Sequence, residues 1–426
     1  MTAPTAAPPR RPDSVLRAAS LTALRDAWRA PASLPSSPFQ RHASRLERAL
    51  GRSPTPGNRA EILIDGPATH AAMFDAIAQA RDHVNIESYI VENDGPGQAL
   101  AELLLRKRAE GVRVNLIFDG WGSWRTPARY FEALKGAGVA LLEFNPINPL
   151  RHPIAWSLHL RDHRKLLVVD GRVAFIGGVN ISRVYASSSG EKSDNALECW
   201  RDTHVCIEGP VVADLQQLFL DHWRARAHKP PHSANYFPPL GVAGPERVAV
   251  AACDAGRRRN PLYRSLLAAI DGAERSVYVT SAYFVPTRRL VRRLVAAARR
   301  GVDVRLALPG VSDIWAPLAA GRATYGRLLA AGVRIFERHD AMLHSKTVVI
   351  DGVWSTVGSS NMDWRSLLHN AEANVVIVDR DFGRRMEELF QCDERASEEV
   401  TLDRWASRRW TARLSEWMAR KLEFLL

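Results

Sequence analysis

The chain has 426 residues, of which 46% are hydrophobic and 24% are charged, a composition typical of a soluble globular protein with room for two ordinary domains. No apolar stretch of about 18 residues predicts a membrane-spanning helix, and the N-terminus lacks the compact apolar region of a secretory signal. The four cysteines form no C-x-x-C pair, so we expect reduced thiols in a cytoplasmic protein, with neither structural disulfides nor zinc.

The net charge of +12 is concentrated at the two ends of the chain. Residues 1–60 contain ten Lys or Arg and three Asp or Glu, and residues 401–426 contain six and three. A protein that binds nucleic acid usually carries its basic excess along the binding groove, so no nucleic-acid partner is expected. Basic ends favour contact with an anionic phospholipid membrane, although solvation of Arg-rich, Ala-rich ends explains the N-terminal excess equally well.

Residues 1–57 are predicted to be a flexible basic segment, because proline residues interrupt any regular pattern there. One short helix is expected within Ser14–Arg29, where Leu21, Leu24 and Trp28 share a helical face. The segment is therefore expected to lie outside the folded part of the protein.

Apolar strands then alternate with helices, which predicts an α/β fold containing parallel strand pairs. The first predicted series is strand Glu61–Ile64, a helix through Met73 and Ile77, strand Val84–Tyr89, helix Ala99–Glu110, strand Val112–Phe118, helix Tyr130–Gly136 and strand Val139–Phe144. The second series is helix Leu262–Asp271, strand Ser276–Ser281, helix Leu290–Arg300, strand Val302–Leu308, helix Thr324–Ala331 and strand Val333–Glu337. Because the order repeats, the chain is predicted to be a duplication of one domain and not a solenoid.

The repetition sets the predicted domain organisation. We expect a first domain over residues 58–228, a Pro-rich linker over 229–247, a second domain over 248–400 and a basic amphipathic helix over 401–426. The predicted fold class is α/β, with two pseudo-twofold-related α/β/α domains whose mixed, mostly parallel sheets are flanked by helices.

Each predicted domain also contains the pattern His-x-Lys-x4-Asp, followed by two small residues and by an Asn seventeen positions after the His. The first copy provides His163, Lys165, Asp170, Gly178 and Asn180, and the second provides His344, Lys346, Asp351, Ser359 and Asn361. Residues i and i+2 of a strand share a face, so the His and Lys of each copy are expected to project together. The two aspartates precede a glycine at a predicted hairpin and more readily brace the fold than contact a substrate.

Two copies of His, Lys and Asn are what a single phosphodiester site needs if the two halves meet at a pseudo-twofold axis. Lys and Asn donors bind the phosphate oxygens and the extra charge of the transition state. One imidazole attacks phosphorus while the other protonates the leaving alkoxide, and with two lysines no metal or other cofactor is expected. A carboxylate or carbonyl must orient the attacking imidazole, and Asp202 and Glu372, each at the start of an apolar strand, are the candidates.

The paired motifs resemble those of the phospholipase D superfamily, and the segments around them are similar to bacterial cardiolipin synthases. These segments include Trp200-Arg201-Asp202-Thr203-His204, Ile207-Glu208-Gly209-Pro210 and Gly358-Ser359-Ser360-Asn361-Met362-Asp363. The resemblance covers roughly residues 60–426 and implies two phospholipase D-like domains. It also implies a phosphatidyl group carried on a histidine, with His163 as nucleophile and His344 as acid and base, an assignment that sequence symmetry alone leaves open.

The implied reaction joins two phosphatidylglycerol molecules into cardiolipin and releases glycerol at the cytoplasmic face of a bacterial membrane. Phospholipid hydrolysis, a phosphodiesterase or nuclease of the same superfamily, and a non-catalytic lipid-binding protein are the alternatives. The acceptor alcohol and the oligomeric state stay open. The longer form of the family has an N-terminal transmembrane pair that this sequence lacks, so a peripheral form is expected.

The C-terminal helix offers one means of attachment to a membrane. One helical face carries large apolar residues flanked by arginine and lysine, namely Trp410, Leu414, Trp417, Met418 and Leu425. Such a helix lies in the headgroup layer or packs its apolar face on the protein's own core, and the second arrangement is slightly favoured. Trp121, in a loop after a predicted strand, likewise contacts lipid or packs internally.

Overall fold

The computed structural model describes residues 37–148, 160–190, 195–227, 231, 234–256 and 260–421. The helix predicted within Ser14–Arg29 and the apolar residue Leu425 lie outside these ranges. Among the helices within them, none combines the length and the hydrophobicity that crossing a membrane requires.

The first half of the chain contains eight strands, five α-helices and two short 3-10 helices within the described residues. The strands are β1 (Thr55–Ile64), β2 (His83–Ser88), β3 (Arg113–Asp119), β4 (Ala140–Phe144), β5 (Lys165–Val169), β6 (Val173–Gly177), β7 (Trp200–Arg201) and β8 (Thr203–Glu208). The helices are α1 (Pro38–Leu50), α2 (Asp65–Ala78), α3 (Gly95–Ala109), α4 (Ala128–Gly136) and α5 (Val212–Arg226).

The second half contains nine strands and eight helices within the described residues. The strands are β9 (Glu246–Cys253), β10 (Ser276–Ser281), β11 (Asp303–Pro309), β12 (Arg334–Arg338), β13 (Met342–Leu343), β14 (Lys346–Ile350), β15 (Trp354–Gly358), β16 (Glu372–Val378) and β17 (Ser397–Glu399). The helices are α6 (Pro261–Asp271), α7 (Arg288–Arg299), α8 (Trp315–Arg322), α9 (Tyr325–Leu329), α10 (Trp364–Leu368), α11 (Arg380–Arg395), α12 (Leu402–Ala406) and α13 (Trp410–Lys421).

Fifteen of the described strands form one continuous sheet. From its outer edge inward, the first half contributes β4-β3-β2-β5-β6-β8-β1, and the second half contributes β12-β11-β10-β14-β15-β16-β9, with β17 beyond β12. The innermost strands β1 and β9 pair antiparallel. Identical strand orders meeting at an antiparallel seam relate the two halves by a pseudo-twofold axis, as the duplicated sequence predicts. The domain bounds given above stay predictions.

The sheet differs from the prediction in the direction of its strands. Among the described strands, β2-β3-β4 and β10-β11-β12 are parallel. The other neighbours in the sheet run antiparallel. The α/β class holds, but the expectation of mostly parallel pairing is corrected, because β5-β6 and β14-β15 are hairpins and not helical crossovers.

The motif strands are buried on both faces of the sheet. Leu166 and Val168 of β5 face a core formed with α5 and α11, whereas Leu167 and Val169 face a core formed with α2 and α3. Successive strand residues alternate between the two faces, so this strand needs apolar side chains at every position. The apolar run that follows Lys165 in the sequence is thereby explained.

Helix α1 lies inside the segment predicted to be flexible. A reciprocal capping box between Ser37 and Gln40 starts this helix, and Gly51 ends it in the left-handed conformation. Ala43 and Leu46 are buried in the core of the second half. The expectation of flexibility is therefore corrected for α1. The prolines on either side of this capped amphipathic helix interrupt the sequence pattern around it but not the helix itself.

Candidate active site

The two motif lysines occupy equivalent positions in the two halves. Lys165 begins β5 opposite Ser88, the last residue of β2, and Lys346 begins β14 opposite Ser281, the last residue of β10. Within each half the parallel strands end beside that lysine, and the carboxyl ends of such strands are where α/β folds commonly place their sites. Polar side chains leave the core here without interrupting it.

The backbone before each motif strand crosses to the other half. The backbone N–H of His163 donates to the carbonyl of Ala371 at 2.9 Å, and that of His344 donates to the carbonyl of Arg201 at 2.7 Å. The short parallel pair formed by β7 and β13 lies at the second of these crossings. Ala371 and Arg201 each immediately precede the candidate carboxylate of their own half, so each histidine is placed beside the carboxylate of the opposite half.

Each imidazole is bound through Nδ1 to that carboxylate. Nδ1 of His163 lies 3.1 Å from Oε1 of Glu372 and 3.1 Å from the carbonyl oxygen of Ser359. Nδ1 of His344 lies 2.6 Å from Oδ2 of Asp202. Around Nδ1 of His163 both close partners are oxygen acceptors, and at Nδ1 of His344 the Asp202 oxygen at 2.6 Å is closer than Nζ of Lys346 at 2.9 Å. Nδ1 therefore carries the hydrogen in each ring, and Nε2 keeps its lone pair for chemistry. The sequence predicted both carboxylates but not their exchange between the halves.

Lys165 and Lys346 are buried in a shared electrostatic environment. Nζ of Lys165 donates to the carbonyl of His163 at 2.7 Å, and Nζ of Lys346 donates to the carbonyl of His344. Burial lowers the pKa of Lys165 to about 7 and the pKa of Lys346 to about 8, whereas the Glu372 carboxylate acts in the opposite direction on both. Two buried ammonium groups that stand in one site suit an anion bound between them.

Both imidazoles are uncharged at neutral pH. Burial lowers the pKa of His163 and the pKa of His344 to about 4 each, and the lysine of the same motif adds to the shift. The lysine of the opposite motif lowers each pKa further, Lys346 for His163 and Lys165 for His344. The two halves therefore act electrostatically on one another's histidine, and each neutral imidazole is able to act as a nucleophile.

The two motif asparagines are not equivalent. Oδ1 of Asn180 accepts a hydrogen bond from the backbone N–H of Ile90 at 3.1 Å, and Nδ2 donates to the hydroxyl of Tyr185 at 2.9 Å. Oδ1 of Asn361 is buried and has no hydrogen-bond partner among the described residues. The amide of Asn180 is thus committed to the wall of the pocket, whereas the role predicted for both residues stays a prediction.

The small residues after each motif accommodate the carboxylates. A Cβ atom on Gly178 would lie 2.1 Å from Oδ1 of Asp202, so a side chain at this position would displace the carboxylate. In the second half the hydroxyl of Ser359 donates to Glu372 instead. Of the two roles expected for Gly178 and Ser359, these contacts favour support of the carboxylates over direct binding of phosphate.

The motif aspartates lie at the far end of their strands from the lysines. Asp170 accepts hydrogen bonds from the backbone N–H groups of residues 81–83 at 2.8 Å, and Asp351 accepts those of residues 274–276 at 2.7 to 3.2 Å. Both stand in hairpins with positive φ angles of 51° and 54°. They brace the starts of β2 and β10, which is the role that the sequence favoured for them over contact with a substrate.

Aromatic rings surround the two histidines unequally. The ring of Tyr89 meets that of His163 edge-on, with centroids 5.1 Å apart. Three rings contact His344 at centroid distances of 4.8, 5.7 and 6.3 Å, those of Trp200, Tyr185 and Tyr283. The side chain of His163 is 12% exposed and that of His344 is 5% exposed. These contacts were not predicted, because no spacing rule separates such rings from ordinary core aromatics.

A buried charge network lies behind His163. The side chains of Glu87, Asp162 and His222 each have an atom able to bind a metal ion, and these atoms lie within 4.8 Å of one another. No other group of three such side chains is found in the described part of the chain. Nη1 of Arg164 lies 3.6 Å from Oε1 of Glu87, so a fixed cation already compensates the carboxylates. Burial raises the pKa of Glu87 and of Asp162. We interpret this group as an internal ion-pair network.

Comparison with known proteins assigns this geometry to a family. A sequence model described as "Cardiolipin synthase, PLD-like domain" matches residues 73–223 and 266–393, one stretch in each half. The chain belongs to the cardiolipin synthase family. A cardiolipin synthase of Geobacillus thermodenitrificans (strain NG80-2) is 34% identical over 397 residues, which cover 92% of this chain and 78% of that protein. A cardiolipin synthase A of Pseudomonas putida (strain W619) is 37% identical over 362 residues, which cover 84% and 73%.

A solved structure shares the fold of this cardiolipin synthase family member. The crystal structure of phosphatidylserine synthase from Haemophilus influenzae Rd KW20 aligns with a TM-score of 0.64 over 90% of this chain and 100% of that chain, at 14% sequence identity. At this identity the likeness concerns the fold alone. The family predicted from the paired motifs and the predicted α/β fold class are both confirmed.

Proposed function

We propose that this member of the cardiolipin synthase family joins two phosphatidylglycerol molecules into cardiolipin and releases glycerol. The observation that carries the proposal is the exchange of carboxylates, because each motif histidine has its Nδ1 bound by an acidic residue of the other half. Two Nε2 atoms and two buried ammonium groups are then available to one phosphodiester. Membership of the family carries the reaction class, which is phospholipase D-type phosphatidyl transfer.

In the first proposed step, Nε2 of His163 attacks the phosphorus of one phosphatidylglycerol. The bond from phosphorus to Nε2 forms, the bond from phosphorus to the glycerol oxygen breaks, and His344 gives its Nε2 proton to that oxygen. The anionic substrate raises the pKa of His344 on binding, because negative charge favours the imidazolium. Lys165, Lys346 and Asn361 stabilise the charge on the phosphoryl oxygens.

In the second proposed step, the phosphatidyl group passes from the histidine to an alcohol. His344 removes the proton from a hydroxyl of the second phosphatidylglycerol, whose oxygen attacks phosphorus and breaks the bond to Nε2 of His163. Water in place of the lipid alcohol gives phosphatidic acid, so slow hydrolysis is expected as a side reaction. The chemistry requires only a free hydroxyl on the acceptor, so a related alcohol is also a candidate acceptor.

Access favours His163 as the nucleophile. Its side chain is the more exposed of the two, 12% against 5%, and a nucleophile must approach phosphorus in line with the leaving oxygen. His344 lies among three aromatic rings with Asp202 at 2.6 Å, an environment that suits a proton carrier whose imidazolium form is stabilised by a carboxylate.

The substrate places the reaction at a membrane. Both the donor and the proposed acceptor are phospholipids, so the phosphodiester must reach Nε2 of His163 from a bilayer. We propose that the protein associates peripherally with an anionic phospholipid membrane at its cytoplasmic face. The basic residues at the two ends of the chain support this proposal through their attraction to anionic headgroups.

The pH dependence of kcat/KM should follow the lysines and the histidines. The lysines bind phosphate only when charged, and their positive charge is lost as pH rises through their pKa values of about 7 and about 8. His163 attacks only when neutral, so activity should be lost as pH falls towards its pKa of about 4. His344 must also gain a proton before it acts, and its pKa is about 4. Initial rates at low substrate concentration should therefore give a bell-shaped profile whose alkaline limb begins below the lysine pKa values and becomes steeper through them. A Lys346→Arg variant that keeps activity should lose less of it at high pH, whereas a flat alkaline limb in the wild type would contradict the proposed role of the lysines.

The purified protein and phosphatidylglycerol vesicles test the proposed function. With the headgroup glycerol isotopically labelled, we expect cardiolipin and free glycerol to appear in equal molar amounts, together with a smaller amount of phosphatidic acid. Cleavage of single-stranded DNA without lipid products would favour a nuclease instead. Binding of the vesicles without turnover of either substrate would favour a lipid-binding protein.

A further inference from the structure

Several tryptophan side chains of the described residues are exposed to solvent. The described tryptophans that are about half exposed or more are Trp121, Trp124, Trp315, Trp410 and Trp417. Ile314 precedes Trp315, Met418 follows Trp417 and Leu414 lies between Trp410 and Trp417, and all three are also exposed. A soluble surface rarely exposes several tryptophans together without a partner for them. Their positions relative to the two histidines indicate what this partner is.

The first tryptophan loop adjoins His163. It follows β3 at the edge where the active site lies, and the backbone N–H of Trp121 donates to Oδ1 of Asp119, the last residue of that strand, at 2.8 Å. A Cβ atom on Gly122 would lie 2.1 Å from the carbonyl oxygen of Tyr89, so the loop rests directly on this residue. The Tyr89 ring in turn contacts the ring of His163.

The second tryptophan loop adjoins His344 in the equivalent place. It follows β11, which occupies in the second half the position that β3 occupies in the first. The hydroxyl of Tyr283 donates to Oδ1 of Asp313 at 2.7 Å, and the Tyr283 ring contacts that of His344. Asp313 is followed directly by Ile314 and Trp315, which are 49% and 62% exposed. The pseudo-twofold axis therefore places one tryptophan loop beside each histidine.

Helix α13 adds a third apolar surface, next to the second tryptophan loop. It packs on α8, the helix that Trp315 begins, by burying Ala419 against Val285, Ala319 and Ala320. Its face formed by Trp410, Leu414, Trp417 and Met418 is between 47% and 73% exposed. The arrangement slightly favoured from the sequence, in which this face packs on the protein's own core, is therefore corrected. The face of α13 that carries the small side chain of Ala419 is buried, and the face that carries the large apolar side chains points outward.

Positive charge accompanies these tryptophans. The guanidinium of Arg125 lies 5.4 Å from the ring centroid of Trp124, and the ammonium of Lys421 lies 5.2 Å from that of Trp417. Arg413 is exposed on the same helix. Tryptophan rings bordered by arginine and lysine are typical of protein surfaces that enter the headgroup layer, where the rings reach the acyl boundary and the cations meet phosphate.

We propose that the two tryptophan loops and α13 form one docking surface for an anionic phospholipid bilayer. The docking surface comprises Trp121, Trp124, Ile314, Trp315, Trp410, Leu414, Trp417 and Met418. This inference rests on the proposed function, because a phospholipid substrate explains why the surface borders both histidines. When the protein is bound to a bilayer through this surface, its active site lies at the depth of the headgroups and reaches the phosphodiester there. The acyl chains stay in the bilayer, so the protein need not extract a whole lipid into water.

Flotation with vesicles tests the docking surface independently of catalysis. The full-length protein should float with phosphatidylcholine vesicles that contain phosphatidylglycerol and bind less to vesicles of phosphatidylcholine alone. The variants W121S/W124S, W315S and W410S/W417S should each bind the anionic vesicles about tenfold more weakly or worse, because each loses buried apolar area at the interface. Val242→Ser is the matched control, since Val242 is 54% exposed but lies beside the start of β1, at the end away from the histidines.

Circular dichroism and thermal unfolding establish whether the variants remain folded. The proposal requires weaker vesicle binding by all three variants, W121S/W124S, W315S and W410S/W417S. Undiminished vesicle binding by the loop variants and the helix variant would overturn the proposal. So would a fall in oligomeric state without any change in vesicle binding, because the surface would then be an interface between copies of the chain. His163→Ala should bind vesicles like the wild type. A wild-type protein that binds vesicles through this surface but makes no cardiolipin would refute the proposed function and leave the docking surface standing.

Discussion

Replacing His163 with alanine should abolish cardiolipin formation, with kcat/KM reduced by at least about 10⁴-fold, because the variant has no nitrogen to carry the phosphatidyl group. The expected result is an absence of both cardiolipin and phosphatidic acid, since transfer and hydrolysis share the first step. The measurement is the release of labelled glycerol from phosphatidylglycerol vesicles. Unfolding is not the expected cause, because the His163 side chain is not part of the hydrophobic cores of the two halves.

The two histidines are distinguished by a substrate whose leaving group needs no proton. In a short-chain phosphatidyl ester of p-nitrophenol, the leaving group departs as the stable p-nitrophenolate anion. His344→Ala should therefore still release a burst of p-nitrophenolate and then stop as the phosphohistidine accumulates. His163→Ala should show no burst. The opposite pattern would assign the nucleophile to His344 and contradict the role inferred from exposure. Equal loss of the burst in both variants would contradict a division of roles between the histidines.

Neutralising the exchanged carboxylates should cost about 10²- to 10⁴-fold in kcat, the range seen when the partner of a catalytic histidine loses its charge. In Glu372→Gln the amide no longer holds the Nδ1 hydrogen of His163, and in Asp202→Asn the same is true of His344. Each change also leaves a buried lysine less compensated, so the folded fraction must be measured beside activity. Glu388→Gln is the matched control, because Glu388 forms an exposed ion pair with Arg384 and should leave the rate unchanged.

The exchange of carboxylates between the halves also predicts which of the two catalytic steps each variant slows. Asp202 is in the first half but serves His344, so Asp202→Asn should keep the p-nitrophenolate burst and slow the second step. Glu372→Gln should slow the burst itself, because Glu372 serves His163. If each carboxylate acted within its own half, the two patterns would be reversed.

Local periodicity is strong in this chain, and it explains why so much of the fold could be predicted. The predicted strand Ser276–Ser281 has the bounds of β10, and the predicted helix Leu262–Asp271 starts one residue inside α6. Because β5 and β14 are buried on both faces, their sequences are continuous apolar runs. Because the halves are duplicated, an element identified in one half indicates the equivalent element in the other. The helices α1, α5, α8 and α11 were among the elements that were not predicted, and so was the direction of most strand pairs.

The sequence by itself determined the family, the duplicated strand order and the residues able to perform the chemistry, because motif spacing and strand period are local properties of the chain. The tertiary structure alone decided which carboxylate serves which histidine, since the paired residues stand 209 and 142 positions apart and meet only because the halves join along β1 and β9. It also decided that Asn180 is committed to Tyr185 and that α13 turns its tryptophans outward. A period reveals that a face is apolar, but what that face meets depends on how distant segments pack.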